Sequence, residues 1–296
     1  DQPAYDYIVQ ALTGMASLGG EPDGPPARAG ISVVDFSSGL AAAIRLIPDN
    51  PQSLEQLGFP AQLAELAERR SGLLLVTGRS NSGKTTTLSA LVDHLNTKYS
   101  RHIITLEGPI EYIHVPKNSL ITQRQIGLHA ESFSSALRAA LREDPDVILV
   151  GEMRDIETIG LAVTAAEVGV LVLGTLHTCT AAATVDRIVD VFPPDQQQQT
   201  RVMLADTLIG VISQQLINRT DGNGRVAAYE LMINTPSIKT LIREGRSHQI
   251  PSVIQTGRAK GMRLLDSHLK ALVDSGQVAA EQAARIAVHP DSFFDK

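Results

Sequence analysis

The segment Leu73-Leu-Leu-Val-Thr77-Gly78-Arg-Ser-Asn-Ser-Gly83-Lys84-Thr85 governs the reading of the whole chain. From Gly78 to Thr85 it fits G-x-x-x-x-G-K-[ST] at every fixed position. The apolar run before it reads as a strand, and Thr85–Asn96 after it reads as a helix. In that setting a glycine-bounded loop turns successive backbone N–H groups inward. The helix N-terminus adds positive partial charge, so the concave side holds phosphate oxygens. Gly78, Ser80, Asn81, Ser82, Gly83, Lys84, Thr85 and Thr86 are the expected phosphate-binding residues. Lys84 is expected to reach the β- and γ-phosphates and the Thr85 hydroxyl to ligate Mg²⁺. Asn81 sits mid-loop, where tolerance of positive φ is useful. The motif implies a nucleoside triphosphate and leaves the reaction open.

Further short runs rich in Val, Ile and Leu flank this unit: His102–Leu106, Val147–Val150 and Val170–Gly174. Longer helical stretches separate them, the pattern of buried parallel strands joined by crossover helices. Asp155–Val168 reads as a helix capped by Asp155 and stopped by Gly169. Gln196–Leu216 reads as another helix by its periodicity. Asn218–Val226 reads as a hairpin turn, and Thr235 onward as short helices broken by Gly and Pro. Before the phosphate loop, Glu21–Gly30 is a Gly/Pro-rich loop, and Ser32–Ile47 carries short apolar runs that pair as strands. Pro48–Leu57 is a linker entering a helix, with Ser53 as its cap and Gln56 three residues on.

Two acidic segments and one histidine stand at the ends of strands. Glu152 follows Val147–Val150 and Gly151 and is positioned to hold or orient a Mg²⁺ shell. Glu107 and Glu111 lie four apart across a Gly-Pro turn. Spacing allows both to face the phosphates, one polarising the attacking water, and equally allows two solvated acids. His177, in Gly174-Thr-Leu-His177-Thr, sits where an imidazole senses a γ-phosphate; a structural histidine fits the same spacing.

The chain has 296 residues, 43% hydrophobic and 20% charged, which suits two folded domains. A single cysteine, Cys179, rules out a disulfide framework and a cysteine zinc site. The formal charge of -6, the absence of Trp and an aromatic content of 4% disfavour a nucleic-acid face or a base-stacking platform. Val168–Val185 carries no formal charge and approaches the length of a membrane span. Its glycines, His177 and four threonines make it a strand, a loop and a helix start instead. The first ten residues are acidic and polar, unlike a signal peptide, and residue 1 is not Met.

Taken in order, these segments resemble the secretion ATPase superfamily, and within it the type IV pilus retraction ATPases. Gly78–Thr85 resembles their Walker A motif, and Thr105–His114 their aspartate box. Leu141-Arg-Glu-Asp-Pro-Asp-Val-Ile-Leu-Val-Gly-Glu-Met-Arg-Asp155 is similar to their Walker B signature, and Gly174–Thr178 to their histidine box. Asp186–Pro193 and Gln249–Gly257 are similar as well. The likeness runs from about Gly39 to Phe294.

The resemblance implies an α/β fold: a RecA-like P-loop ATPase core (51–234), a partial PAS-like N-terminal domain (1–50) and a small helical C-terminal region (235–296). Much of a PAS-like fold would precede Asp1. It implies ATP and Mg²⁺ as ligands, and a homohexamer at the cytoplasmic face of a bacterial inner membrane. The implied partners are an inner-membrane pilus platform protein and a paralogous retraction ATPase, with no nucleic acid. Carried over by position, Glu111 activates water, Glu152 is the Walker B acid with Thr85 at the metal, and His177 reads the γ-phosphate. Arg45 completes a neighbouring site, with Arg28 at a second such position.

The departures from the family pattern are specific. Gly108 replaces the aspartate of Glu-Asp-Pro, and Arg28-Ala-Gly30 replaces Arg-Phe-Arg. Ser38 stands where a basic residue is common, and Ser237–Glu244 is an altered form of the family's C-terminal motif. No four-cysteine insertion interrupts Asn218–Val226, which favours the retraction branch. Two functions stay open at this point: a hydrolysing motor of type IV pilus retraction or of a closely related pilus, secretion or conjugation machine, and a nucleotide-binding accessory subunit with weak or no hydrolysis. A nucleic-acid translocase, a third reading, is disfavoured by the acidic balance and the absence of Trp.

Overall fold

The computed structural model describes Pro51–Phe294. Arg28, Ser38, Arg45 and the expected N-terminal domain lie outside these residues. Gln52–Ile110 and His114–Lys296 form one compact unit, from which Glu111–Ile113 are excluded.

Among the described residues the centre is a seven-stranded sheet, order β3-β2-β4-β5-β1-β6-β7. Its strands are β1 (Gly72–Thr77), β2 (His102–Glu107), β3 (Leu120–Gln125), β4 (Val147–Val150), β5 (Leu171–Leu176), β6 (Leu208–Asn218) and β7 (Arg225–Ile233). All neighbours pair parallel except β6 with β7, which form an antiparallel hairpin. The expected parallel strands are all present.

Period-2 alternation sorts the strand side chains between two layers. Leu73, Leu75, Ile104, Leu106, Ile148, Val150 and Val172 enter one core. Leu74, Val76, Ile103, Val147, Leu149, Leu171 and Leu173 enter the other. Every residue of β1 is buried, so the continuous apolar run reflects a strand covered on both faces.

Helices close each face through one stripe. In α2 (Lys84–Lys98) the stripe is Leu88, Leu91, Val92 and Leu95, at helical i, i+3, i+4, i+7 spacing. Each fully buried leucine is worth about 1.5–3 kcal/mol of transfer free energy. The other helices are α1 (Ala61–Ala67), α3 (Phe133–Ala140), α4 (Ile156–Glu167), α5 (Ala181–Asp190), α6 (Pro194–Thr207), α7 (Pro236–Arg243), α8 (Ile250–Thr256), α9 (Leu265–Asp274) and α10 (Ala280–Ala284). Ile238, Leu241, Ile242, Ile250 and Ile254 share a core with the sheet. Leu265, Leu269 and Leu272 pack on Ile217 and Ala228 of the hairpin.

Two expectations are corrected. The helix expected over Gln196–Leu216 ends at Thr207, and β6 begins at Leu208. Leu204, Leu208 and Val211 suit a helical face, but Ile209, Val211 and Ile212 are β-branched, and pairing with β1 decides the conformation. Ser53 and Gln56 do make the reciprocal capping bonds, at 2.9 and 3.1 Å. They close a turn over 54–58, and the first described helix begins only at Ala61.

Candidate functional site

Parallel pairing brings three strand ends to one rim. Thr77 stands opposite Leu176, and Val150 opposite Gly174. The chain therefore leaves β1 at Gly78, β4 at Gly151-Glu152 and β5 at His177 on the same edge of the sheet. Ligand crevices of open parallel sheets lie at this C-terminal rim.

The phosphate loop is shaped by residues that tolerate its backbone conformation. Gly78, Asn81 and Gly83 have φ of 146°, 62° and 88°, all in the region that favours Gly or Asn. A Cβ on Gly78 would stand 2.3 Å from the Gln214 carbonyl oxygen. Lys84 Nζ folds over the loop and donates to the carbonyls of Gly78 (2.9 Å) and Arg79 (3.0 Å). Burial holds the Lys84 ammonium below the usual lysine range, and the nearby Glu152 carboxylate and Cys179 thiol act against that shift. Ser80 and Asn81 are exposed at the loop tip, while Thr85 and Thr86 are half-buried in the first turn of α2. Ser82 Oγ is buried without a hydrogen-bond partner among the described residues.

Across the rim, Glu152 and His177 are brought together. His177 Nε2 donates to Glu152 Oε1 at 2.7 Å, and Arg154 pairs with the same oxygen. Gly151 explains why the acid stands two residues beyond the strand end at Val150. A Cβ there would lie 2.9 Å from the Leu106 carbonyl oxygen and 3.3 Å from Glu107 Cα. The Gly151 carbonyl is in turn held by Thr175 Oγ1 at 2.6 Å. Asp155 then caps α4, its Oδ1 accepting from the Thr158 N–H at 2.8 Å.

Glu107 departs from the expected phosphate-facing role. It is buried, and its Oε1 accepts from Thr105 Oγ1 (2.6 Å) and Gln123 Nε2 (3.0 Å), which ties β2 to β3. Glu111 lies in the β2–β3 connection. That connection is pinned before it by Ile110 N–H to Gln125 Oε1 and after it by His114 N–H to Gln123 Oε1. Arg45 lies outside the described residues.

Sequence reading missed four contributors. Gln214 on β6 bonds the phosphate loop and Thr87. Ser213 beside it pairs with Thr77 at 2.7 Å. Arg154 engages Glu152. Glu230 on β7 is buried, and its Oε1 accepts from Ala181 N–H at 2.7 Å, the first residue of α5 beyond the His177 segment. Burial pushes the Glu230 carboxyl up, and the backbone N–H groups of Ala181 and Leu265 partly offset this. Buried amides, hydroxyls and carboxylates of this kind carry no periodic or motif signal.

The donor set suits Mg²⁺. The Thr85 hydroxyl and Glu152 carboxylate are hard oxygen ligands of the kind that hold this ion alongside phosphate oxygens and water. No cluster of three His, Cys, Asp or Glu able to hold a metal occurs among the described residues. An ion shared with a nucleotide does not need one.

A strand, a glycine-bracketed loop, an overlying lysine and an acid beyond the end of β4, with β5 between, define a P-loop nucleoside triphosphate-binding protein. The chain belongs to the Type II/IV secretion system protein family, which matches residues 29–287. A second family, CoA-transferase family III, matches residues 1–47, where the described structure does not reach.

The chain is 52% identical over 266 residues to a twitching motility protein of Neisseria gonorrhoeae, covering 90% of this chain and 71% of that one. It is 49% identical to the type IV pilus retraction ATPase PilT of Pseudomonas aeruginosa, covering 90% and 77%. The crystal structure of the pilus retraction motor PilT with bound ADP superposes with a TM-score of 0.79 at 46% identity, covering 85% of this chain and 71% of that one.

Proposed function

We propose that this protein is an ATP-hydrolysing motor of type IV pilus retraction. One observation carries the catalytic part. Lys84 over its loop and the Glu152–His177 pair share one rim, and Glu152 is near enough to act on the Lys84 charge. The pilus context follows from relatives about half identical over most of the chain.

Lys84 exchanges its loop carbonyls for β- and γ-phosphate oxygens. The N–H groups of the loop and of Lys84–Thr86 hold the remaining oxygens. Thr85 and Glu152 would hold Mg²⁺, which would neutralise charge on the phosphates. His177, hydrogen-bonded to Glu152, reads the γ-phosphate, and Glu111 polarises the attacking water. Arg45 of an adjoining protomer completes the site, which makes a ring the active form; the proposed ring is a homohexamer. Its proposed domains are a partial PAS-like region at 1–50, the ATPase core at 51–234 and a helical region at 235–296. No helix among the described residues is long and apolar enough to cross a membrane. The protein works at the cytoplasmic face of the inner membrane, against a platform protein and beside a paralogous retraction ATPase, and does not act on nucleic acid.

Phosphate release measured against protein concentration tests the reading. Specific activity is expected to rise as protomers assemble and to vanish in Lys84→Ala. Wild-type turnover in that variant would remove the motor reading. Gly108, in place of the family's aspartate, motivates an accessory subunit instead. Turnover of the assembled wild type equal to that of Glu152→Ala would favour it.

A further inference from the structure

We infer that Gln214, on β6 and outside the sequence motifs, is a positioning residue for phosphate binding: it sets the Ser82–Gly83 peptide so that the Gly83 N–H faces the nucleotide. The inference rests on the nucleotide-binding part of the proposed function and not on hydrolysis.

Gln214 is 2% exposed. Its Nε2 donates to the Ser82 carbonyl oxygen at 2.8 Å, and its Oε1 accepts from Thr87 Oγ1 at 2.8 Å. The Ser82 carbonyl can only accept, so it fixes which end of the amide is the NH₂, and the Thr87 hydroxyl donates to the Oε1 that remains. Residue 214 also touches both glycines that bracket the loop. A Cβ on Gly78 would meet its carbonyl oxygen at 2.3 Å, and one on Gly83 its Nε2 at 3.1 Å. The motif glycines are thus needed for the approach of β6 as well as for their φ angles.

The consequence follows from peptide geometry. In a trans peptide the C=O and N–H point in opposite directions. Ser82 C=O is turned toward β6 and held there, so the N–H of the same peptide, that of Gly83, is turned away from β6 toward the concave side of the loop. It has no acceptor among the described residues. Without Gln214 the Ser82 carbonyl loses its partner and the peptide is free to rotate. A carbonyl oxygen could then stand where a phosphate oxygen belongs, replacing attraction with repulsion.

The test is ADP binding by titration calorimetry on the full chain. Variants are Gln214→Met, of similar length but without hydrogen bonds, and Gln214→Glu, which keeps the acceptor for Thr87 but cannot donate to Ser82. Thermal unfolding is followed in parallel. ADP affinity is expected to fall tenfold or more in Gln214→Met and further in Gln214→Glu. Thr87→Val, which removes the donor to Gln214 Oε1 and the longer bond to the Gly83 carbonyl at 3.3 Å but leaves the Gln214 NH₂ in place, is expected to lose two- to fivefold. Where phosphate release is measurable, the loss should fall mainly on KM. Wild-type ADP affinity in a folded Gln214→Met overturns the inference. If that variant gives no cooperative transition, wild-type affinity in Thr87→Val overturns it instead, and a two- to fivefold loss supports it. A wild-type chain that binds no ADP overturns both this inference and the proposed function.

Discussion

His177 and Glu152 are hydrogen-bonded, Nε2 to Oε1, at 2.7 Å, although 25 residues separate them. The imidazole proton is thereby committed to the carboxylate, and the carboxylate is shared with Arg154. Glu152→Gln should leave ADP affinity within about threefold. Its kcat for ATP hydrolysis should fall by about 10²–10³, the usual cost of removing one preorganised electrostatic group. Phosphate release and ADP titration on the same preparation separate the two effects. A kcat within twofold of wild type would deny Glu152 its proposed place.

Gly78→Ala is expected to be more damaging than its size suggests. The new methyl would stand 2.3 Å from a backbone oxygen, at a φ of 146° that L-residues rarely adopt. Strain of this kind costs about 1–3 kcal/mol, and relief requires moving the loop off β6. Denaturant unfolding should show that loss, together with nucleotide affinity reduced at least tenfold. A variant with unchanged midpoint and affinity would contradict the described loop.

Low pH should destabilise the protein through His268. Burial first, and the Arg263 charge second, lower its pKa to about 4. Its Nδ1 accepts from Tyr229 N–H at 3.1 Å, which requires that nitrogen to be unprotonated. A free histidine titrates near 6.5, so between pH 6.5 and 4 the unfolded chain binds the extra proton and stability declines as pH falls. The full effect is on the order of 3 kcal/mol. His268→Gln keeps an acceptor and does not titrate. Its thermal midpoint should fall less than that of wild type between pH 7 and pH 4. His114, also lowered to about 4 by burial, leaves a residual slope. Identical pH profiles would show that His268 is not the group responsible.

Asp155→Ala tests a smaller effect. Both carboxylate oxygens serve Thr158, at its N–H and its hydroxyl, each at 2.8 Å. Loss of such a cap costs about 1 kcal/mol, which urea unfolding resolves. Asn in the same position should recover most of it.

The sheet core and the phosphate loop were legible because their signals are local. β1, β4 and β5 are unbroken apolar runs, and the loop's φ requirements are written as Gly78, Asn81 and Gly83. β3 was not legible: Leu120–Gln125 is an edge strand with no fully buried position, so it carries no apolar run. β6 was hidden because no breaker separates it from α6, and its leucines satisfy both periods until pairing with β1 selects one. Gln214 and Glu230 are polar residues on strands, and only tertiary placement shows what they hold. For the same reason two glutamates flanking one turn read alike in sequence, whereas the fold turns Glu107 into a tie between strands.

Glu230 receives the N–H of Ala181 at the start of α5 and that of Leu265 at the start of α9. Its strand neighbour across the hairpin is Ser213, adjacent in sequence to Gln214. A single buried carboxyl is thus the common hub of two helix origins lying 84 positions apart (265 − 181). Any rearrangement that draws the histidine segment toward a nucleotide must either drag the C-terminal helices along or release one of their amides into an apolar interior.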